Sequence, residues 1–280
     1  MRTRRLHGHH GAAVLAALLA GAAGCGKGTA AAADSATTDS VATATPTPDR
    51  TTAMGDTTAA APAPATDAQP GAPNVLTAEE QAAGWTLLFD GRTMQGWRGY
   101  GKPDAPVAGW EVADGAITRA GPGGDIVTTD AYRDFELALE WKVPQGGNSG
   151  VLYRVLESAD PIYYSGPEMQ VLDDAHHADG RNPLTSAGAA YGLYAPPKGV
   201  VRPAGEWNQA RLLVRGNQVE HWLNGQKVVS YELGSADWKA KVAASKFNAW
   251  KAYGTGKEGR IGLQDHGDRV QFRSIRLKVL

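Results

Sequence analysis

Residues 135–142 alternate without a break, with Phe135, Leu137, Leu139 and Trp141 apolar and Glu136, Glu140 and Lys142 between them. Period two marks a strand with one face buried. The same period runs through Gln209–Arg215, Gln218–Leu223 and Gln226–Tyr231, joined by Gly216-Asn217 and Asn224-Gly225. It returns in Trp110–Val112 and Ala116–Thr118, which flank Asp114-Gly115, and in a last strand over Val270–Val279. Such dipeptides accept the positive φ that tight hairpins require. Helical spacing is scarce: Ser235–Trp250 places Trp238 and Val242 at i,i+4, enough for one or two turns that serve packing. Many short strands with Gly-rich turns predict an all-β fold, a jelly-roll β-sandwich of two antiparallel sheets.

Three further segments alternate in the same way but carry reactive groups on the polar side. They are Asn148–Arg154, Glu168–Asp173 and Ile261–Gly267. If Val151/Tyr153, Met169/Val171 and Ile261/Leu263 face the core, then Asn148/Arg154, Glu168/Gln170 and Gln264/His266 face the other way. A cation, a carboxylate, amides and an imidazole on one sheet face predict a polar binding floor. Glu168 and Asp173 have opposite parity and share that face only across a bulge.

Composition refines this picture at the N-terminus. Residues 1–25 run from Met-Arg-Thr-Arg-Arg through an apolar stretch, Ala12–Ala23, to Gly24-Cys25. A cationic start, a short apolar core and small residues before a cleavage point make a secretory signal. Ending on the chain's single cysteine, Cys25, it resembles a bacterial lipoprotein signal, with Cys25 as the lipidation site. The expected location is across the inner membrane, lipid-anchored to the cell envelope on its periplasmic or outer-membrane side. Residues 26–73 are almost entirely Ala, Thr, Pro, Asp, Ser and Gly, too poor in large apolar groups to offset ordering entropy. They predict a disordered tether with a reach of about 40 Å. Residues 74–280 hold the tryptophans and long aliphatics and predict one domain. A net charge of -1 offers no basic stripe and no reason to expect nucleic acid as a partner.

Trp85–Gly91, Asn148-Ser149-Gly150 with Arg154, Glu168–Asp173, Glu206-Trp207-Asn208, Leu223-Asn224-Gly225 and Gly262–Gly267, in that order, resemble the 3-keto-disaccharide hydrolase domain family. The resemblance covers about residues 80–280. It implies a concanavalin A-like jelly roll and a carbohydrate substrate, a glycoside already oxidised at C3. A ketone at C3 acidifies the proton on C2, so removing that proton sets up loss of the C1 substituent; water then completes a net hydrolysis. Such a site needs a base near C2, an electropositive group for the enolate oxygen and an acid for the departing oxygen.

The expected roles follow. Glu168 or His266 is the base and the other the acid, and Arg154 stabilises the enolate. Asn148, Gln170, Gln264 and Asp173 bind sugar hydroxyls, and Tyr191 stacks on the ring. A divalent metal ion held by Glu168 and His266 is an alternative electrophile, although no metal-ligand spacing demands one. His176 and His177 read as a solvated loop and His221 as a packed side chain. A non-catalytic carbohydrate-binding module and a structural module on an envelope tether remain as competing readings.

Overall fold

A computed structural model describes residues 72–280. The expected leader, the Cys25 anchor and the linker as far as residue 71 lie outside the described residues. Asn74 is the first residue tied to the domain: its amide donates to Gly115 O (2.8 Å) and accepts from Ser274 N–H (2.8 Å).

A short helix, α1 (Ala78–Ala82), opens on a reciprocal capping box between Thr77 and Glu80. Strands β1 (Trp85–Leu87) and β2 (Trp97–Gly99) follow, then the hairpin β3 (Trp110–Ala113) and β4 (Ala116–Arg119). Its turn has φ 52° at Asp114 and 71° at Gly115, as the dipeptide predicts. Next come β5 (Ile126–Thr128), β6 (Phe135–Lys142), β7 (Asn148–Val155) and β8 (Glu168–Leu172). A meander of β9 (Asn208–Arg215), β10 (Gln218–Leu223) and β11 (Gln226–Glu232) leads into helix α2 (Ala236–Ala243). The chain ends with β12 (Arg260–Leu263) and β13 (Gln271–Val279).

The strands form two antiparallel sheets. The larger runs β11-β10-β9-β6-β13-β4-β3 with β1 beside β13; the smaller runs β2-β5-β12-β7-β8. Between them Leu137, Leu139 and Trp141 meet Val151, Tyr153, Met169, Val171, Ile261 and Leu263 in one apolar core. The expected core faces of β7, β8 and β12 are therefore correct. His221 is buried as expected, its Nδ1 donating to Gly188 O (3.1 Å) and its Nε2 3.2 Å from Tyr153 Oη.

Strands β7 and β8 are buried on both faces, not one. Loops cover the outer face of the smaller sheet, where Val127, Leu152, Val155 and Ile162 form a second small cluster. The free edge of β8 is also covered: Gln170 N–H donates to Ala189 O, and Gly188 and Tyr191 N–H groups donate to Gln170 and Glu168 carbonyls. A polar floor roofed by loops is a recess: Asn148, Glu168 and Gln170 are buried in it, Gln264 is half-buried and His266 is exposed.

Candidate functional site

Strand register builds the recess. Gln170 lies opposite Gly150, Asn148 opposite Leu172 and Leu152 opposite Glu168. On the other side of β7, Gly262 lies opposite Leu152 and Gln264 N–H donates to Gly150 O (3.1 Å). Gly150 thus occupies the centre, ringed by Glu168, Gln170, Asn148 and Gln264. Glycine is what lets Glu168 lie where it does: a Cβ there would collide with the Glu168 carboxylate, coming 2.6 Å from its Cδ and 2.8 Å from its Cγ. Glu168 leans over the bare backbone and fills the space a side chain would take.

Glu168 is 7% exposed, and among the described residues nothing donates a hydrogen bond to its carboxylate. Burial therefore raises its pKa to about 8; the Lys246 cation works against that shift, while the Asp125 and Asp179 carboxylates add to it. Gln170 is buried as well, and its Oε1 has no partner. Its Nε2 lies 3.4 Å from Asn148 Oδ1, and Asn148 Nδ2 is 3.5 Å from His266 Nε2. Glu168 and His266 thus share one face of one sheet, with Glu168 buried and His266 exposed at the rim, where Asn148 ties it to Gln170.

Two expected members are elsewhere. Arg154 has φ 50°, and the β7–β12 register slips beside it. That single left-handed residue hands the outer face to Val155, which packs with Leu152 and Ile162. The Arg154 guanidinium turns away and donates to Arg133 O (2.8 Å), Gly216 O (2.6 Å) and Asp134 (3.2 Å). It lines a cavity of about 410 Å³ beside α2 that has no carboxylate or imidazole in its wall. The expected enolate-stabilising role is withdrawn for this residue. Asp173 is likewise committed, accepting from Gly146 N–H (2.8 Å), Ala175 N–H (3.2 Å) and His176 Nδ1 (2.8 Å). Burial pushes its carboxyl up, but those donors outweigh it and hold the pKa below the usual range. Asp173 staples the loop after β8, and the expected sugar contact is corrected to a structural role.

Three unexpected groups take part. Lys246, on the turn Lys246–Ala249, places Nζ 4.5 Å over the Tyr191 ring and 6.0 Å over Tyr163. Its charge acts on Glu168, so it supplies the cation that Arg154 does not. One face of Tyr191 is thereby covered, and its hydroxyl lies 3.4 Å from Asp179 Oδ2. His177, read as solvated, has Nε2 3.4 Å from Asn148 Nδ2 and packs edge-on against His266, with ring centroids 6.1 Å apart. Its Nδ1 accepts from Asp179 N–H (3.1 Å), which turns Nε2 towards the recess. Asp125, just before β5, is pushed up to about 6 by burial and by the Asp265 and Asp160 carboxylates, against the pull of Asp265 N–H. Local sequence signalled little of this: Lys246 arrives from a turn about 80 residues after Glu168, and His177 and Asp125 sit in loops without periodicity. Among the described residues no group of three His, Cys, Asp or Glu side chains is gathered closely enough to hold a metal ion.

Comparison with known proteins places this arrangement. A protein from Bacteroides thetaiotaomicron named 3-keto-disaccharide hydrolase is 38% identical over 231 aligned residues, covering 71% of this chain and 79% of that protein. A crystal structure of a candidate glycosyl hydrolase from Parabacteroides distasonis is 38% identical, covers 74% of this chain and 99% of its own, and superposes with a TM-score of 0.69. A second from the same organism is 27% identical, covers 70% and 99%, and gives 0.54. The family described as the 3-keto-alpha-glucoside-1,2-lyase-like domain matches residues 84–278, and this chain, with its buried Glu168 over Gly150, belongs to that family.

Proposed function

We propose that the protein cleaves the glycosidic bond of 3-keto-glycosides or 3-keto-disaccharides by removing the C2 proton, eliminating the C1 substituent and adding water. One observation carries this reading: a desolvated carboxylate with no hydrogen-bond donor of its own leans over a bare glycine, beside a lysine cation and two buried amides. A carboxylate raised to about 8 is a far stronger base than an ordinary one.

In this reading Glu168 takes the C2 hydrogen as a proton, and the electron pair moves into the C3 ketone as an enolate. Lys246 stabilises the negative charge that develops. The enolate then collapses, the C1–O bond breaks, and the departing oxygen takes a proton from His266 at the rim. Water adds across the resulting C1=C2 bond, oxygen to C1 and proton to C2, giving the free 3-keto sugar. Gln170, Asn148 and Gln264 hold ring hydroxyls, and the unpartnered Gln170 Oε1 accepts one of them. None of these steps needs the close carboxylate pair of a double-displacement glycosidase. The leader-like residues 1–25 extend the proposal to an envelope protein tethered through Cys25.

The test is incubation of the purified protein with a 3-keto-glucoside and with its unoxidised parent. Release from the keto form alone supports the elimination. Binding without release supports a recognition module, and equal release from both refutes the role given to the ketone.

A further inference from the structure

Asp125 lies outside the chemistry proposed above, yet it stands in the same transverse row of the sheet. Leu263 pairs with Val151 on one side and with Ile126 on the other. The next residue, Gln264, therefore lies between Gly150 and Asp125, and the row reads Gln170, Gly150, Gln264, Asp125 across β8, β7, β12 and β5. Tyr100 continues it, its N–H donating to Asp125 O (2.8 Å). Asp125 shares parity with Val127, whose side chain packs with Leu152 and Ile162 on the recess side. The carboxylate therefore belongs to the same face as Glu168.

The neighbouring family-motif residue, Asp265, sets that carboxylate. Its N–H donates to Asp125 Oδ1 (2.8 Å), while its own carboxylate takes Arg119 Nε (2.8 Å) and the N–H groups of Gly123 (3.3 Å) and Gly124 (3.1 Å). The glycine loop that delivers Asp125 is thus fastened to β12, and the nearby cation Arg119 is already paired with Asp265. Tyr163, on the turn that covers Gly262, stands beside Trp250 at 5.4 Å between ring centroids. This end of the recess offers an oriented acceptor next to aromatic surface.

Position along the row suggests what Asp125 can do. Three strand intervals, about 14 Å, separate its backbone from that of Glu168; Glu168 leans inward over Gly150 and Asp125 leans inward to Asp265 N–H, leaving roughly one to two intervals, about 5–10 Å, between the carboxylates. The acid's place in the proposed reaction is taken by His266, beside Asn148. Asp125 stands on the far side of Gln264 from Glu168, where a second sugar ring joined at C1 would extend.

Resting on the function proposed above, we infer that Asp125 forms a subsite for the departing sugar. It accepts hydrogen bonds from two of that sugar's hydroxyls and makes a carbohydrate, not a small alkyl group, the preferred leaving group. The test compares a 3-keto-disaccharide with methyl 3-keto-glucoside, using wild type and Asp125→Asn, in which the amide oxygen still accepts from Asp265 N–H. The ratio of kcat/KM for the disaccharide to that for the methyl glycoside should fall about tenfold in the variant, the loss appearing mainly in KM. An unchanged ratio overturns the subsite, as does an equal collapse of kcat on both substrates, which would make Asp125 catalytic. If wild type turns over neither substrate, the elimination fails but the subsite is still judged by calorimetric titration with the unoxidised disaccharide. Weaker binding by the variant then supports it, and equal Kd overturns it.

Discussion

Replacing Gly150 with alanine adds one methyl group at the centre of the recess and substitutes no ionisable residue. The new Cβ would stand 2.6 Å from Glu168 Cδ and 2.8 Å from Cγ. Carbon atoms settle at about 3.5 Å or more, so the carboxyl group has to retreat by about 1 Å. Its retreat breaks no hydrogen bond to a described residue, and alanine in a strand is roughly 0.5–1 kcal/mol better than glycine. Thermal stability should therefore hold or rise slightly. Catalysis should not: a base displaced by about 1 Å from its proton costs on the order of a hundredfold in rate. Steady-state kinetics on a 3-keto-glucoside, paired with thermal melts, gives both quantities. A Gly150→Ala protein with kcat/KM within about twofold of wild type would refute the placement of the base over Gly150.

Other predictions follow from the same geometry. Glu168→Gln should abolish turnover with the fold intact, and kcat/KM of wild type should be bell-shaped in pH, with one limb near pH 8, because Glu168 must have lost its proton while His266 must carry the one it donates. The folded pKa of Glu168 lies above its ordinary 4.5, so its contribution to stability is complete below about pH 4.5 and is lost as pH rises towards about 8. Relative to Glu168→Gln, wild type should lose up to about 1.4 kcal/mol per pH unit across that window, read from melts at stepped pH. Lys246→Met removes a cation acting on that carboxyl; the limb near pH 8 should move to higher pH and kcat should fall about tenfold to a hundredfold. Arg154→Ala, by contrast, should cost about 2–4 kcal/mol in chemical denaturation by orphaning buried acceptors, with kcat/KM per folded molecule within about twofold.

The comparison with sequence turns on where period two holds. Strands β6, β9, β10 and β11 were legible because their alternation is unbroken and Asn224-Gly225 fixes a turn whose φ values, 48° and 82°, only such residues adopt readily. Asn148, Glu168, Gln170 and Gln264 were legible for the same reason: each lies on an undistorted stretch. Arg154 was misplaced because parity counting assumes a straight strand, and one residue at φ 50° reverses every position after it. Asp173 was misread because its partners, Gly146 N–H and Ala175 N–H, are backbone groups of two loops. Lys246 and Asp125 reach the recess through tertiary folding, which no local period records. The loops that bury the floor were equally silent in the sequence, although burial is what turns Glu168 from an ordinary carboxylate into a base.

Turnover of a 3-keto-glucoside in deuterium oxide, followed by mass spectrometry and proton NMR at early times against an enzyme-free control, tests proton removal from C2 most directly. The released 3-keto sugar should carry one solvent deuteron at C2 for each bond cleaved, and Glu168→Gln should give neither release nor label. Release with the original hydrogen retained at C2 would mean direct displacement at C1, and Glu168 would then not be the base of an elimination.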